Sequence, residues 1–208
     1  MPATRERQMT WHFPGLVLFA YLLGSVPAGL VVARALGAPD PRLGGSGNLG
    51  TANVYRALGL KAAVLTFLGD AGKGTLPVLL ARHWLAPLGG AGFEAGVASV
   101  AAAAVLGHVC PLFLRFQGGK GVATTFGVVL AVSPAAALSL ALIYFLALAW
   151  TRIFSLSALL CAWLLPVAVG LFSGSKVYLL LAGFLSGLIL LCHRENLERL
   201  FKGEEPRL

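Results

Sequence analysis

Apolar residues run through this chain in six blocks, at about 13–35, 57–81, 93–114, 122–150, 155–172 and 177–192, parted by short polar stretches rich in glycine. A helix of about 20 apolar residues crosses a bilayer, so the pattern predicts membrane-spanning helices. The fourth block is too long for one. As a straight helix it would reach ~43 Å against a hydrocarbon core of ~30 Å. Ser133-Pro134 lies inside it, and proline lacks the N–H of a helix interior and clashes with the turn before it. Two shorter helices are predicted, about 122–132 and 134–150. The first is too short to cross without tilt, bilayer thinning or partial re-entry.

Composition excludes a soluble reading. Of 208 residues 58% are hydrophobic and only 12% charged, where a soluble domain carries roughly 25% charged. Arg5, Glu6 and Arg7 precede the first block in the manner of a signal peptide. That apolar run reaches about Arg34, too long for a cleaved signal, and predicts an uncleaved first span. The three cysteines, Cys110, Cys161 and Cys192, form no CxxC pair and read as small hydrophobes. The net charge of +8 fits Lys and Arg kept in cytoplasmic loops. No nucleic-acid motif accompanies it.

Charge also decides between six and seven spans. With seven and the N-terminus outside, eleven basic residues lie inside: Arg34, Arg42, Arg56, Lys61, Arg115, Lys120, Arg152, Arg194, Arg199, Lys202 and Arg207. Four lie outside, Arg5, Arg7, Arg82 and Lys176, with Lys73 left within the second block. Six spans give seven inside and eight outside, which is no bias. The fold predicted is an all-α integral membrane protein, a seven-transmembrane-helix bundle with one or more short or broken helices. Its N-terminus is outside and its C-terminus cytoplasmic. It forms one domain over 1–208, with a short tail at 1–12 and a C-terminal motif at 193–208. Its polar, glycine-dense stretches, 36–56, 115–121, 151–155 and the tail from His193, then share the cytoplasmic face. No internal repeat stands out.

Three constellations on that face carry chemistry. In Gly44-Gly45-Ser46-Gly47-Asn48-Leu49-Gly50-Thr51-Ala52-Asn53, glycines let successive N–H groups turn towards an anion. Arg56 can add a bidentate cation. In Gln117-Gly118-Gly119-Lys120-Gly121, glycines and a lysine precede a helix N-terminus, a second anion site that is not a Walker loop. In His193-Arg194-Glu195-Asn196-Leu197-Glu198-Arg199, a continued helix would set His193, Asn196 and Arg199 along one face. The plain alternatives are a flexible turn, a snorkelling lysine and a charged helix cap. Within the spans, Asp70 and Lys73 are spaced to pair, and His108 reads as a satisfied bundle histidine. Eight carboxylates, with no HExxH and no acidic cluster, argue against metal chemistry. Many anion-binding groups and few bases suit a substrate that is already activated and brings its own phosphate.

These motifs resemble the bacterial acyl-phosphate:glycerol-3-phosphate acyltransferase family. The resemblance runs from Gly24-Ser25-Val26-Pro27 through GSGNxG and GGKGVAT to the terminal HRxNxxRLxxGxEP. It implies a seven-helix bundle in the bacterial inner membrane with a cytoplasmic active site. It implies transfer of a fatty acyl group from acyl phosphate to the 1-hydroxyl of glycerol 3-phosphate, giving lysophosphatidic acid for phospholipid biosynthesis. No cofactor, metal or nucleic acid is implied, and the enzyme that makes the acyl phosphate is an implied functional partner. The His-x4-Asp signature of other acyltransferases follows none of the histidines. By position, Arg56, Lys120, Ser155, His193 and Asn196 are the catalytic candidates. Ser46, Gly47, Asn48, Asn53, Gly118 and Gly119 are the phosphate binders. Asp70, Lys73 and Glu205 are structural. The family reads Ala-Thr-Asn where this chain has Thr51-Ala52-Asn53. The hydroxyl proton could go to His193 or to a substrate phosphate. The rival readings are a transporter of a small phosphate-bearing anion, which would want polar groups at the midplane, and a membrane scaffold without chemistry.

The charge split makes a topological prediction. Cysteines introduced near Gly45, Gly119 and Lys202, in a chain lacking the native three, should react only from the cytoplasmic side. External labelling near Lys202 would return the even-span arrangement.

Overall fold

A computed structural model describes residues 2–208, with side chains from Phe13 onwards; the side chains of the 1–12 tail lie outside the described residues. Among the described residues every regular element is a helix, joined by loops, and no strand is present. The α-helices are α1 Pro2–Gly24, α2 Ala28–Ala35, α3 Thr51–Leu85, α4 Gly90–Val109 and α5 Val122–Val132, then α6 Pro134–Thr151, α7 Phe154–Ser173, α8 Lys176–Cys192 and α9 Arg194–Lys202. Four helical stretches are long and apolar enough to cross a membrane, and up to six if each of two bent pairs counts as one span.

Local chemistry explains the breaks. The chain leaves α5 at Ser133 and starts α6 at Pro134, the division its proline predicts. The first apolar block is not the single helix expected. It bends by 50° between Phe13–Gly24 and Ala28–Ala35, because Pro27 can neither donate to the turn before it nor fit inside a helix. Ser25 Oγ donates instead to the carbonyl of Tyr21 at 2.8 Å. Helix α3 begins earlier than expected, so Thr51–Arg56 are its opening turns and not the end of a loop. It kinks at Gly59, whose φ of 84° and ψ of −177° only glycine adopts readily. The last span does not run on into the tail. A 57° bend at His193 separates α8 from α9.

Small residues let the helices approach closely. Helix α3 lies against α5 and α1 against α4. A Cβ on Gly127 would fall on the carbonyl of Ala71, one on Gly74 on that of Thr124, and one on Gly107 on that of Tyr21. Without hydrophobic drive between helices in lipid, such packing holds a bundle together. Large apolar side chains point outward, Leu142, Phe145, Leu180 and Trp150 among them, the last 91% exposed. The 11-residue α5 is steadied at its far end by Arg82, whose Nη1 donates to the carbonyl of Ala131 at 2.7 Å.

The path of the chain gathers the polar stretches. Arg56 at the start of α3, Lys120 before α5, Ser155 at the start of α7 and the tail beyond α8 are joined by hydrogen bonds at one end of the bundle. Ser175 Oγ donates to Glu94 at 2.7 Å and ties together loops at the other end. The two ends are thus chemically different, one polar and cationic, the other short and plain.

Candidate active site

The first glycine loop is built around one buried amide. Asn53, 2% exposed, donates from Nδ2 to the carbonyls of Pro41 (2.8 Å), Asn48 (2.8 Å) and Gly44 (3.2 Å). Its Oδ1 accepts from the Ser46 N–H at 2.7 Å. Gly45 has a φ of +60°, and a Cβ there would collide with the Asn53 amide. Asn48 Oδ1 accepts from the Gly50 N–H at 2.8 Å, turning the chain into α3. Asn53, expected among the phosphate ligands, instead organises the loop, and the Asn48 oxygen is likewise spent on backbone. Ser46 and Gly47 stand exposed at the loop's tip. The hydroxyl of Thr51, the residue displaced from the family pattern, is buried without a partner.

The second centre is a carboxylate. Glu205 is buried, and its Oε1 accepts from Ser155 Oγ at 2.7 Å and from Asn196 Nδ2 at 2.6 Å. Its Oε2 accepts from Arg199 Nε at 2.7 Å. Burial would raise the pKa of this group. The hydrogen bonds from Ser155, Asn196 and Arg199, together with the arginine's charge, outweigh burial and hold it below the usual glutamate range. Asn196 hands the network on, because its Oδ1 accepts from Lys120 Nζ. Burial first, and then the charge of Arg199, lower the lysine's pKa against the opposing pull of Glu205 and Glu195. The tail is drawn across the site. Arg56 Nη2 donates to the Pro206 carbonyl at 3.2 Å, and the Leu208 N–H donates to the Arg152 carbonyl at 2.7 Å. The Arg56 guanidinium also lies 5.6 Å from the centre of the Phe154 ring, and its Nε is buried without a partner.

The lysine loop sits on the end of α4. The Gly119 N–H donates to the His108 carbonyl at 3.0 Å. A Cβ on Gly118 would strike the carbonyls of His108 and Val109, and one on Gly119 the imidazole of His108. These glycines, expected to open room for a phosphate, are required where they are by close contact with their own chain. Lys120 then stands beside the N-terminus of α5, whose first N–H groups have no partner within the helix.

His193 lies at the corner between α8 and α9, 3% exposed, with Nδ1 2.8 Å from the Ile189 carbonyl. Burial, with help from the charge of Lys120, pushes its pKa down to about 4 against the opposing effects of that hydrogen bond and of Glu205. It is neutral near pH 7. With the proton on Nδ1 shared with the carbonyl, Nε2 carries the lone pair. Asp70 and Lys73 meet at 2.9 Å, as their spacing suggested.

The structure therefore joins Lys120, Asn196, Ser155 and Glu205 directly and brings Arg56 beside them through the tail. Ser46, Gly47, Asn48 and Asn53 form a separate turn leading into Arg56. Arg199, absent from the sequence-derived site, closes the network. Its three-residue spacing from Asn196 was the available signal. Phe154 and the Pro206 carbonyl carried no signal of their own. Among the described residues no group of three His, Cys, Asp or Glu side chains could hold a metal ion.

Comparison with known proteins agrees with these motifs. The family model for glycerol-3-phosphate acyltransferase matches residues 15–203. The glycerol-3-phosphate acyltransferase of Methylococcus capsulatus is 46% identical over 195 residues, 93% of this chain and 94% of that protein. The one from Geotalea daltonii is 44% identical over 191 residues, covering 91% and 94%. The crystal structure of PlsY (YgiH), an integral membrane glycerol 3-phosphate acyltransferase, is similar in its glycerol 3-phosphate form. Its TM-score is 0.87 and its identity 40%, with 95% of this chain and 96% of that one covered. The lysophosphatidic acid form gives a TM-score of 0.86 at 39% identity, with 95% of each chain covered.

Burial of His193 links stability to pH. Unfolded, the imidazole titrates near 6.5; folded, near 4. Its contribution to stability is complete above about pH 6.5 and is lost as pH falls towards 4, where the unfolded state binds the extra proton. Between about pH 7 and 5 the Tm of His193→Gln in detergent should fall less than that of the unaltered protein. Equal falls would show that the imidazole titrates alike in both states.

Proposed function

The chain belongs to the glycerol-3-phosphate acyltransferase family, and on that footing we propose that it transfers a fatty acyl group from an acyl phosphate to the 1-hydroxyl of sn-glycerol 3-phosphate. The products are 1-acylglycerol 3-phosphate and inorganic phosphate. The observation that carries this reading is the charge of the site. Lys120 and Arg56 are held by neutral groups, the Asn196 amide oxygen and the Pro206 carbonyl, so their charges are left for a ligand. Each can bind phosphate, Arg56 with an N–H to spare.

In the reaction the 1-hydroxyl oxygen attacks the acyl carbonyl carbon. The bond from that carbon to the phosphate oxygen breaks, and its electrons leave with the phosphate. The N-terminus of α5 stabilises the charge that develops there, while Lys120 holds the phosphate of the acceptor. The hydroxyl proton needs an acceptor. His193, with a pKa of about 4, is a weaker base than a phosphate ester, whose second pKa is about 6. A phosphate oxygen takes the proton, then, and His193 Nε2 is left to orient the acceptor by accepting a hydrogen bond from its other, non-reacting hydroxyl. Ser155, Asn196 and Arg199, fixed by Glu205, form the wall against which this occurs.

The same reading places the protein in the bacterial inner membrane as one domain with seven membrane segments. The N-terminus lies outside and the active site on the cytoplasmic face, functionally coupled to the enzyme that supplies the acyl phosphate. Two observations support it. The loops before α5 and after α6 lie at the same end of the bundle, so the chain goes out along the short α5 and returns along α6. Adding α5 to the longer spans gives an odd number of segments, the arrangement the positive-inside count favours.

Purified protein should make labelled lysophosphatidate from palmitoyl phosphate and glycerol 3-phosphate without added metal, and should not use palmitoyl-CoA. Turnover with the CoA ester alone, or activity abolished by EDTA, would sink the donor assignment. Lys120→Ala should raise the glycerol 3-phosphate KM. Loss of one charge-assisted contact, roughly 2–3 kcal/mol, lowers kcat/KM about 30–150-fold. A fall in kcat alone would place the lysine on the departing phosphate. Near-normal kinetics in folded protein would remove it from the site.

A further inference from the structure

Directly beneath the lysine loop lies a polar cluster that the reaction scheme does not use. Asp70, Lys73 and His108 are 2%, 6% and 8% exposed. They come from the middle of α3 and the end of α4. Asp70 Oδ1 lies 2.9 Å from Lys73 Nζ and 3.5 Å from His108 Nδ1. Lys73 Nζ also donates to the Val26 carbonyl at 2.9 Å, in the break between α1 and α2. His108 Nδ1 is buried with no hydrogen-bond partner. A cavity of about 10 Å³ opens among Ser25, Pro27, Asp70, Lys73, His108 and Gly119, room for one water.

His108 is also the floor of the lysine loop. Its carbonyl accepts from the Gly119 N–H, and its ring fills the space that a Gly119 side chain would need. A chain of contacts therefore runs from Asp70 through the imidazole to the backbone that carries Lys120. Buried ionisable groups in a membrane bundle are costly, and simple helix glue would not require this one to end against an anion-binding loop.

We infer, resting on the acyltransferase reading above, that Asp70 and His108 are positioning residues for acceptor binding. Asp70, its charge balanced by Lys73, fixes the His108 imidazole, and the imidazole fixes the height and tilt of Gly118–Lys120. Loss of the ring lets the loop sink towards α4 and draws Lys120 away from the phosphate.

The test uses the full-length protein purified in detergent, with steady-state kinetics in glycerol 3-phosphate and a melting curve for every variant. His108→Ala should raise the acceptor KM about 10–100-fold, the scale of a displacement near 1 Å, with kcat nearly unchanged. His108→Gln, which restores a planar polar group, should recover part of the loss. Gly119→Ala should be impaired because its methyl meets the ring, and His108→Ala should relieve it, so the double variant loses less than the product of the single effects. A KM equal to wild type in folded His108→Ala overturns the inference, as does strict multiplication in the double variant. If His108→Ala does not fold, Asp70→Asn keeps the shape and removes the charge; a raised KM supports the positioning role and an unchanged KM overturns it. Wild-type turnover separates the two readings. Its absence counts against the acyltransferase assignment, whereas normal wild-type turnover with normal variants removes the positioning role alone.

Discussion

One buried carboxylate organises the polar end of this bundle. Glu205 lies near the end of the chain, yet it collects Ser155 from α7 and both Asn196 and Arg199 from α9. A carboxylate withdrawn from water is costly unless its oxygens are satisfied. Here three donors satisfy them, so the tail must close over the site for any of these side chains to hold its orientation. Closing brings the Pro206 carbonyl to Arg56 and the Leu208 N–H to the Arg152 carbonyl. Lys120 is reached through Asn196. Residues far apart in sequence become neighbours because one anion needs partners.

Glycine serves three separate purposes near the site. At Gly45 it supplies a positive φ and leaves room for the Asn53 amide. At Gly118 and Gly119 it allows the loop to lie directly on the end of α4. At Gly74 and Gly127 it lets α3 and α5 approach until backbone nearly meets backbone. From sequence Gly45, Gly118 and Gly119 all look like parts of loops opened for a phosphate. The distinction depends on what lies on the glycine's empty side, and that is set by distant parts of the chain.

The same limit marks which features were legible beforehand. The apolar blocks and the break at Pro134 follow from local rules of length and proline chemistry, and the helix boundaries there agree within a residue. The bend at Pro27 rests on the same rule but was masked by an apolar run of plausible length for one span. Lys120 was marked by its flanking glycines, whereas Ser155 and Asn196 were singled out chiefly by their positions in the family pattern; the structure joins the three through hydrogen bonds. The organising role of Asn53 was not, since an asparagine among glycines reads equally well as a ligand or as a turn former. His108 is the clearest case. In sequence it is a lone histidine in an apolar run, and only tertiary packing sets it between Asp70 and Gly119.

The balance of charge at this end of the bundle suits an anionic ligand. Arg199 is already matched by Glu205 at 2.7 Å, and Lys73 by Asp70 at 2.9 Å. Lys120 and Arg56 face an amide, a carbonyl and an aromatic ring, all neutral. A partly buried ammonium such as that of Lys120, in direct contact with a neutral partner only, has lost hydration, and an arriving anion offsets that penalty. Burial already lowers the pKa of the Lys120 ammonium, and a bound dianion would raise it again and lock the proton in place. The neutral partners therefore hold the cations in position without neutralising them, which leaves binding energy to be released only when phosphate enters.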